Sequence, residues 1–319
     1  MGSIETVLGE VGAESLGFVL VHEHIAAASA GILSSWPELG GGKDQIIKRG
    51  VDALIKAKSF GVSTIVDASP IDVGRDVLLL KEVSEKSGIT IIAVTGLWLD
   101  PPVTLKSRTS SQLFDFFRKE ITEGIDGTEI KAGVIKLATE GELGAFDEKV
   151  FFAAAQVQQI RRTPIITHTN ALARSGNFQA KCLEGHGVDP SVVAIGHSDD
   201  TSDFNYLLNL LELGYYIAMD RIPNGALAEY GGQSVEDRVN MIIKMVEAGY
   251  EDKILISHDD PIWAGLLTDE DQERHFKSNP DQISFISKFV IPMLLKKGIT
   301  SEIISKITVT NPRTWLTGT

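Results

Sequence analysis

Two histidines end an apolar stretch near the start of the chain, FVLVHEHI (18–25). Side chains at positions i and i+2 of a β-strand share a face, so His22 and His24 would point the same way. Val19 and Val21 would then face the opposite layer. A lone buried histidine is usually a satisfied core residue, but two on one face share a desolvation cost that a divalent cation would relieve. The pair predicts part of a metal site whose other ligands must come from elsewhere.

Other residues that can bind metal lie at the ends of later apolar stretches of the chain. They are Lys136, His168, His197 and Asp259. With the first pair they supply four imidazoles, one carboxylate and one amine, which is more than a single tetrahedral zinc needs. Two cations would use all of them, with a bridging water deprotonated near neutral pH so that it can attack an electrophile. The second cation would polarise the oxygen of the bond under attack.

Lys136 is the unusual member of this set because it lies inside the apolar sequence GVIKLA (133–138). An unpaired ammonium group there would be costly. One interpretation is a buried lysine paired with a carboxylate. The other starts from desolvation, which lowers the pKa of a lysine and leaves a neutral amine that can add carbon dioxide. The resulting carbamate would resemble a carboxylate and could bridge two cations, and the residues alone leave both interpretations open.

The elements that would position these residues recur along the chain as apolar, β-branched runs separated by segments of helical spacing. The runs cover residues 18–24, 63–69, 89–96, 132–138, 164–169, 192–198, 215–220 and 253–260. Continuous apolar strands that alternate with helices indicate a parallel sheet buried on both faces. Eight such units in 319 residues predict a single α/β domain over 1–319, folded as a closed (β/α)8 TIM barrel. A dinucleotide-binding open sheet would show G-x-G-x-x-G after an early strand, and the sequence has none.

If the barrel prediction is correct, the candidate ligands should lie at the C-terminal ends of the strands, because TIM barrels have their active sites there. The candidates satisfy this condition: four of the seven histidines fall at predicted strand ends, as do the lysine and the aspartate. A scattered arrangement would seldom do this.

Composition limits the partners and the compartment. The formal net charge of −13 opposes nucleic-acid binding, which needs a basic face, and says little about the small-molecule substrate that we expect. The one cysteine, Cys182, excludes an internal disulfide framework and fits a reducing compartment, so we expect a cytoplasmic protein. No secretion signal or membrane helix is expected, since no apolar stretch is long enough.

Several motifs together resemble one known group of enzymes. The chain contains HEH, AGVIKLAT, THT, IGHSDDT and TGLWLDPP, and it ends in ITVTNPRTWL followed by three residues. This ordered pattern is similar to the phosphotriesterase family of the amidohydrolase superfamily, which includes the phosphotriesterase-like lactonases. The similarity runs nearly end to end.

The resemblance implies a role for each candidate ligand. His22, His24 and Asp259 would hold the more buried metal ion, and His168 and His197 the more exposed one. Lys136, carbamylated to N6-carboxylysine, would bridge both ions, and Asp259 would take the proton of the bridging hydroxide. Zinc is the expected metal, with cobalt, manganese or iron as alternatives. The resemblance also implies a homodimer with Trp36 at or near the contact, although Trp36 could instead pack on its own barrel.

Other residues near the predicted strand ends are candidates for catalysis and substrate binding. Asp200 and Arg221 would form a charge-assisted pair that assists catalysis, or else an ion pair at the rim without function. Trp98 would form an apolar wall at the mouth, or else pack under a loop. Arg221 and Trp263 are also expected to bind substrate. Two further aspartates, Asp67 and Asp220, are expected to be structural.

The substrate is the least determined property. The segment between Asp220 and Val235 is short, as in lactonase-type members, and SHDD (257–260) is also similar to the lactonases. GLWLDPP and HSDDT are more similar to the phosphotriesterases, and the long apolar eighth loop could hold a tail. We therefore expect a lactonase, acting on N-acyl-homoserine lactones as in quorum quenching, with side activity on phosphotriesters. The alternatives are a dedicated aryldialkylphosphatase, amide or carbamate hydrolysis, and a barrel that binds metal without turnover.

Overall fold

A computed structural model describes residues 2–223 and 232–318 and confirms the (β/α)8 barrel-like fold. Nine parallel strands form one curled sheet in the order β10-β9-β8-β7-β6-β5-β4-β3-β11, and β1 and β2 form a separate antiparallel hairpin. The strands are β1 (Ser3–Thr6), β2 (Gly9–Gly12), β3 (Phe18–Ala27), β4 (Val62–Asp67), β5 (Thr90–Gly96), β6 (Val134–Thr139), β7 (Ile165–Thr169), β8 (Val193–Ile195), β9 (Tyr216–Met219), β10 (Ile254–Ile256) and β11 (Pro261–Ala264).

Helices follow most of the strands and cover the outside of the sheet. They are α1 (Ile32–Ser35), α2 (Lys43–Ser59), α3 (Val77–Ser87), α4 (Val103–Lys106), α5 (Ser110–Thr122), α6 (Ala145–Arg161), α7 (Ser175–Gly185), α8 (Phe204–Glu212), α9 (Val235–Glu247), α10 (Asp269–Ser278), α11 (Ile291–Lys296), α12 (Ser301–Ser305) and α13 (Asn311–Thr317). Polar residues start several of them: the Thr109 side chain caps α5 and the Ser234 side chain caps α9, each in a capping box. Among the described residues, no helix is both long enough and apolar enough to cross a bilayer.

Two apolar layers hold this architecture together. The larger lies between the sheet and the helices, and the smaller fills the barrel interior with inward side chains from successive strands, such as Val66, Val94 and Val134. Burial of this kind is the main favourable term in folding. The inner layer occupies the lower part of the barrel and leaves its upper end to polar residues.

Strand β3 departs from regular alternation in a way that matters for the site. Between the pairs Leu20–Ile65 and Glu23–Asp67, β3 advances three residues while β4 advances two, so β3 carries a bulge. Val19 and Val21 therefore pack in the barrel interior, and His22 and His24 face the same interior above them. The expectation that the valines and histidines occupy opposite layers is wrong, because the extra residue reverses the phase of the strand.

The eighth strand is split. The sequence predicted one run over 253–260, but β10 ends at Ile256 and β11 begins at Pro261. β10 pairs with β9 and β11 pairs with β3, so the two segments bring the ends of the sheet together. Across the break the backbone N–H of His22 donates to Ser257 Oγ at 2.9 Å, and that of Asp259 donates to the His22 carbonyl at 3.0 Å.

Candidate metal centre

The six predicted ligands meet at the C-terminal end of the barrel. They come from β3 (His22, His24), β6 (Lys136), β7 (His168), the turn after β8 (His197) and the break between β10 and β11 (Asp259). All six line one cavity of about 230 Å³. Five different parts of the chain therefore contribute to a single site, as the barrel prediction required.

Acceptor atoms converge inside this cavity. Nε2 of His24 lies 3.0 Å from Asp259 Oδ1, and Nε2 of His22 lies 3.4 Å from the same oxygen. On the other side, His168 Nδ1 and His197 Nε2 lie 2.9 Å apart. His22, His197 and Asp259 each offer an atom within 4.8 Å of the other two and could hold a metal ion. Where both atoms of such a pair are unprotonated acceptors they repel one another at these distances, and a bound cation would remove that repulsion.

One buried carboxylate orients two of the histidines. Asp220 Oδ2 accepts from Nδ1 of His22 at 2.6 Å, and Asp220 Oδ1 accepts from Nδ1 of His197 at 3.0 Å. With Nδ1 protonated in both rings, Nε2 is free to act as a ligand. His24 is held similarly, with Nδ1 2.8 Å from Ser69 Oγ. Asp220 was expected to be structural, and its contacts with two predicted ligands give it a specific part in shaping the site.

Asp67, the other aspartate that was expected to be structural, has different hydrogen-bond partners. Asp67 is as buried as Asp220, but it accepts from the backbone N–H groups of Ile25 at 2.8 Å and Ser69 at 3.2 Å. No ring nitrogen is among these partners. Asp67 therefore ties β3 to the end of β4, in keeping with a structural role.

Lys136 is 1% exposed, and its Nζ lies 2.8 Å from His22 Nε2. Burial lowers the pKa of Lys136 from 10.5 to about 8, so a larger fraction of the amine is neutral near physiological pH than for an exposed lysine. Burial, followed by the charge of Lys136, also lowers the pKa of His22 from 6.5 to about 4. A neutral His22 at pH 7 is the form that binds metal.

A charged network lies behind Asp259. Arg221 donates from Nε to Asp259 Oδ2 at 3.1 Å and from Nη1 to Asp200 Oδ2 at 2.6 Å. Arg238 donates to Asp200 at 3.0 Å and to Asp199 at a shorter distance. Burial, together with the charge of Asp199, raises the pKa of Asp200. The predicted pair of Arg221 and Asp200 thus belongs to a larger network. Asp199 was missed although it lies beside Asp200 in the motif IGHSDDT, and Arg238 was missed because nothing in its local sequence marks it.

Trp98 and Glu140 contact His168 from two sides. Trp98 is half-buried, lines the cavity, and places its Nε1 3.4 Å from His168 Nδ1. Glu140 lies 2.6 Å from His168 Nε2 and accepts from Asn170 at 3.0 Å. The hydrogen bond from His168 lowers the pKa of Glu140. The sequence analysis missed Glu140, although its place just after β6 was a signal that could have found it.

Two predicted ligands have unusual backbone conformations. His197 has φ +52° and Asp259 has φ +49°, the left-handed region that costs non-glycine residues energy. Just before His197, a Cβ on Gly196 would lie 1.9 Å from the Thr167 carbonyl oxygen, so only glycine fits there. The surrounding structure holds these residues where their side chains reach the site.

Trp263 does not join the other predicted residues. It lies in β11, is 1% exposed and packs in the core between the sheet and the helices. A Cβ on Gly40 would be 2.5 Å from its Nε1, so the indole is enclosed on the side away from the cavity. The position differs from that expected of a substrate-binding residue because β11 pairs with β3 and turns this side chain outward.

Two further predictions concern the loops. Trp36 follows α1 and is 55% exposed, so its own chain covers only part of the side chain. The central part of the short seventh loop, residues 224–231, lies outside the described residues.

The chain is similar to known proteins over nearly its whole length. A sequence model described as phosphotriesterase family matches residues 2–316. The chain is 33% identical over 303 residues to an aryldialkylphosphatase of Saccharolobus solfataricus, covering 94% of this chain and 95% of that protein. It is 33% identical over 326 residues to a phosphotriesterase homology protein of Mycobacterium tuberculosis, covering 98% and 97%. It is also 28% identical over 351 residues to an N-acetyltaurine hydrolase of Homo sapiens, covering 99% and 98%.

Proposed function

Because the chain belongs to the phosphotriesterase family and is a hydrolase, we propose that it opens lactones at a centre of two divalent metal ions. N-acyl-homoserine lactones are the expected substrates, with slower hydrolysis of phosphotriesters. The observation that carries the proposal is the single cavity of about 230 Å³ in which all six predicted ligands, Trp98 and Arg221 meet.

The donor set fits two cations. Four imidazoles and a carboxylate direct acceptor atoms at one another, and the opposite ring nitrogens of His22, His24 and His197 are already held by Ser69 or Asp220. When bound, the ions would polarise the substrate carbonyl and lower the pKa of water. Zinc suits nitrogen and oxygen ligands of this kind, and cobalt, manganese or iron would also fit.

The carbamate on Lys136 is part of the proposal. The neutral amine attacks the carbon of carbon dioxide, and a new N–C bond forms as one C=O π bond breaks and its electron pair moves to oxygen. The nitrogen then loses a proton to solvent. The product carries a negative charge and two oxygens in a position where the free amine offers one nitrogen. Support comes from the pKa of Lys136, lowered to about 8 by burial, and from its 2.8 Å approach to His22 Nε2.

Asp259, Arg221 and Asp200 form a chain of contacts from the cavity toward its rim. In the proposal, Asp259 accepts the proton of the attacking water, and its position is fixed by the Arg221 Nε–H at 3.1 Å. Asp200 holds the other end of the guanidinium at 2.6 Å. Arg221 also lines the cavity, so it can orient the ring of the substrate while keeping Asp259 in place.

The shape of the cavity favours a lactone. A lactone is planar at the reacting carbon and carries one tail, whereas a phosphotriester is tetrahedral and needs room for three substituents. The described residues form a compact cavity around the ligands, walled by Trp98 and by Leu266 of the eighth loop. The relative named aryldialkylphosphatase favours the second candidate, a dedicated phosphotriesterase, and relatives named N-acetyltaurine hydrolase keep amide hydrolysis as a further alternative.

We further propose a cytoplasmic homodimer built from one domain over 1–319. The 55% exposure of Trp36 supports a contact with a second copy, because a large apolar side chain gains free energy when buried. The lone Cys182 fits a reducing compartment.

A kinetic panel tests the substrate assignment. We expect kcat/KM for N-acyl-homoserine lactones to exceed that for aryl phosphotriesters by at least about tenfold, or roughly 1.4 kcal/mol of transition-state binding. Arg221→Lys and Trp98→Phe should change this ratio more than they change metal content. A preference for phosphotriesters would replace the proposal with the dedicated phosphotriesterase, and turnover of N-acyltaurines alone would replace it with amide hydrolysis.

A further inference from the structure

A second, larger cavity lies beside the metal centre, between the loops that follow β5 and β6. Its volume is about 440 Å³, against about 230 Å³ for the cavity around the ligands, and volumes of about 300–1,000 Å³ are usual for small-molecule sites. One wall includes Leu97, Trp98 and Pro101, and the opposite wall includes Gly141 and Phe146. No part of the mechanism above uses this space.

The two cavities share walls. Trp98 lines both of them. Glu140 lines the larger cavity and also a small third cavity of about 100 Å³, together with His168 and Arg221. A molecule whose reacting carbon lies beside His168 could therefore extend past Trp98 and Glu140 into the larger cavity.

We propose that this cavity receives the tail of the substrate, the part that is not hydrolysed, and that this tail is uncharged and apolar. The inference rests on the proposed hydrolase function and adds the class of tail to it. Apolar side chains form part of its lining, among them Leu99, Pro101 and Phe146.

The charges at the rim of the cavity exclude an anionic tail. Glu140, Glu142 and Asp147 line it, and the one lysine there, Lys106, already lies 3.8 Å from Asp100. An anion entering the cavity would meet more negative than positive charge. The proposed tail is uncharged and therefore differs from the anionic sulfonate group of an N-acyltaurine.

This assignment differs from the expectation that the eighth loop holds the tail. Of that loop, Pro261 and Leu266 line the cavity at the metal centre, and neither lines the larger one. The third and fourth loops supply the larger volume.

Gly141 allows a direct test. It lines the larger cavity, and a Cβ added there would meet no atom within 4 Å, so Gly141→Trp should fill the cavity without disturbing the backbone. Gly185, at the end of α7, also has open space around an added Cβ and does not line the cavity, so Gly185→Trp is the matched control. The substrates are butanoyl- and dodecanoyl-homoserine lactone, which share the reacting ring.

With Gly141→Trp, kcat/KM for the dodecanoyl substrate should fall by at least about tenfold, mainly through KM, while the butanoyl substrate and metal content stay unchanged. Gly185→Trp should leave both substrates unchanged. An equal loss for both substrates in Gly141→Trp, or no loss for either, would overturn the inference.

Two further measurements complete the test. If the unmodified protein hydrolyses neither lactone, the proposed function fails, and calorimetric binding of dodecanoyl-homoserine lactone to the two variants still tests the cavity. A tail that ends in a carboxylate should be hydrolysed at least about tenfold less efficiently than its methyl-ended counterpart, and Glu142→Lys should reduce that difference. A preference for the carboxylate tail would refute the assigned class.

Discussion

Replacing Asp220 with asparagine should remove one metal-binding nitrogen without changing the size of any side chain. Asp220 Oδ1 accepts from both the backbone N–H and Nδ1 of His197, at 2.6 and 3.0 Å, so the amide oxygen of asparagine would stay on that side. The amide NH2 would then face His22 Nδ1, which in the unmodified protein donates its proton to Asp220 Oδ2 at 2.6 Å. Since NH2 only donates, His22 would have to accept at Nδ1 and carry its proton on Nε2.

The size of the effect follows from this change of tautomer. Nε2 of His22 points into the site, 2.8 Å from Lys136 Nζ, and a protonated Nε2 cannot bind metal. Removing an outer partner of a ligating histidine typically weakens metal binding by about tenfold to a hundredfold, which is roughly 1.4–2.7 kcal/mol. We expect a loss in this range for the ion that His22 binds.

Competition with a chromophoric chelator measures the affinity, and circular dichroism of the metal-free protein checks the fold. Asp67→Asn is the matched control, because it neutralises an equally buried aspartate whose partners are the backbone N–H groups of Ile25 and Ser69. The control should lose stability but keep its metal affinity. Unchanged affinity in Asp220→Asn, or an equal loss in Asp67→Asn, would refute the reasoning.

Two further predictions concern the eighth loop and the assembly. The hydrogen bond to Asp260 raises the pKa of His275 above 6.5, so the stability that this pair gives α10 is complete below pH 6.5 and is lost as pH rises through the higher value. Hydrogen exchange in α10, corrected for intrinsic rates, should accelerate as pH rises through that value, and a His275→Gln variant that shows the same acceleration would contradict this. Trp36→Glu should give a folded monomer in sedimentation velocity, and a monomeric unmodified protein would exclude the proposed dimer.

The sequence predicted the barrel because its strands are nearly continuous apolar runs, a pattern that burial on both faces produces. It could not predict the bulge in β3 or the break around Asp259, since both depend on pairing with distant strands. The ligand positions followed from residue type at strand ends. The roles of the surrounding residues could not be predicted in this way. Asp220 and Asp67 look alike in sequence, and only the fold shows that Asp220 contacts two ring nitrogens whereas Asp67 contacts backbone N–H groups.

The loops were the least predictable part. Glu140 and Gly141 follow β6 in a segment without a regular pattern, and the cavity they line exists because the third and fourth loops meet there. Trp263 illustrates the opposite error: it was expected to bind substrate, but Pro261–Ala264 forms a strand that directs the indole into the core.

The central claim is a centre of two metal ions bridged by a carbamylated Lys136, and native mass spectrometry of metal-replete protein tests it most directly. The account predicts two divalent ions per chain and the added mass of one carbon dioxide molecule, with both the added mass and most of the bound metal lost in Lys136→Ala. A fully active protein that holds a single ion, or that carries two ions without the carbon dioxide adduct, would contradict the account.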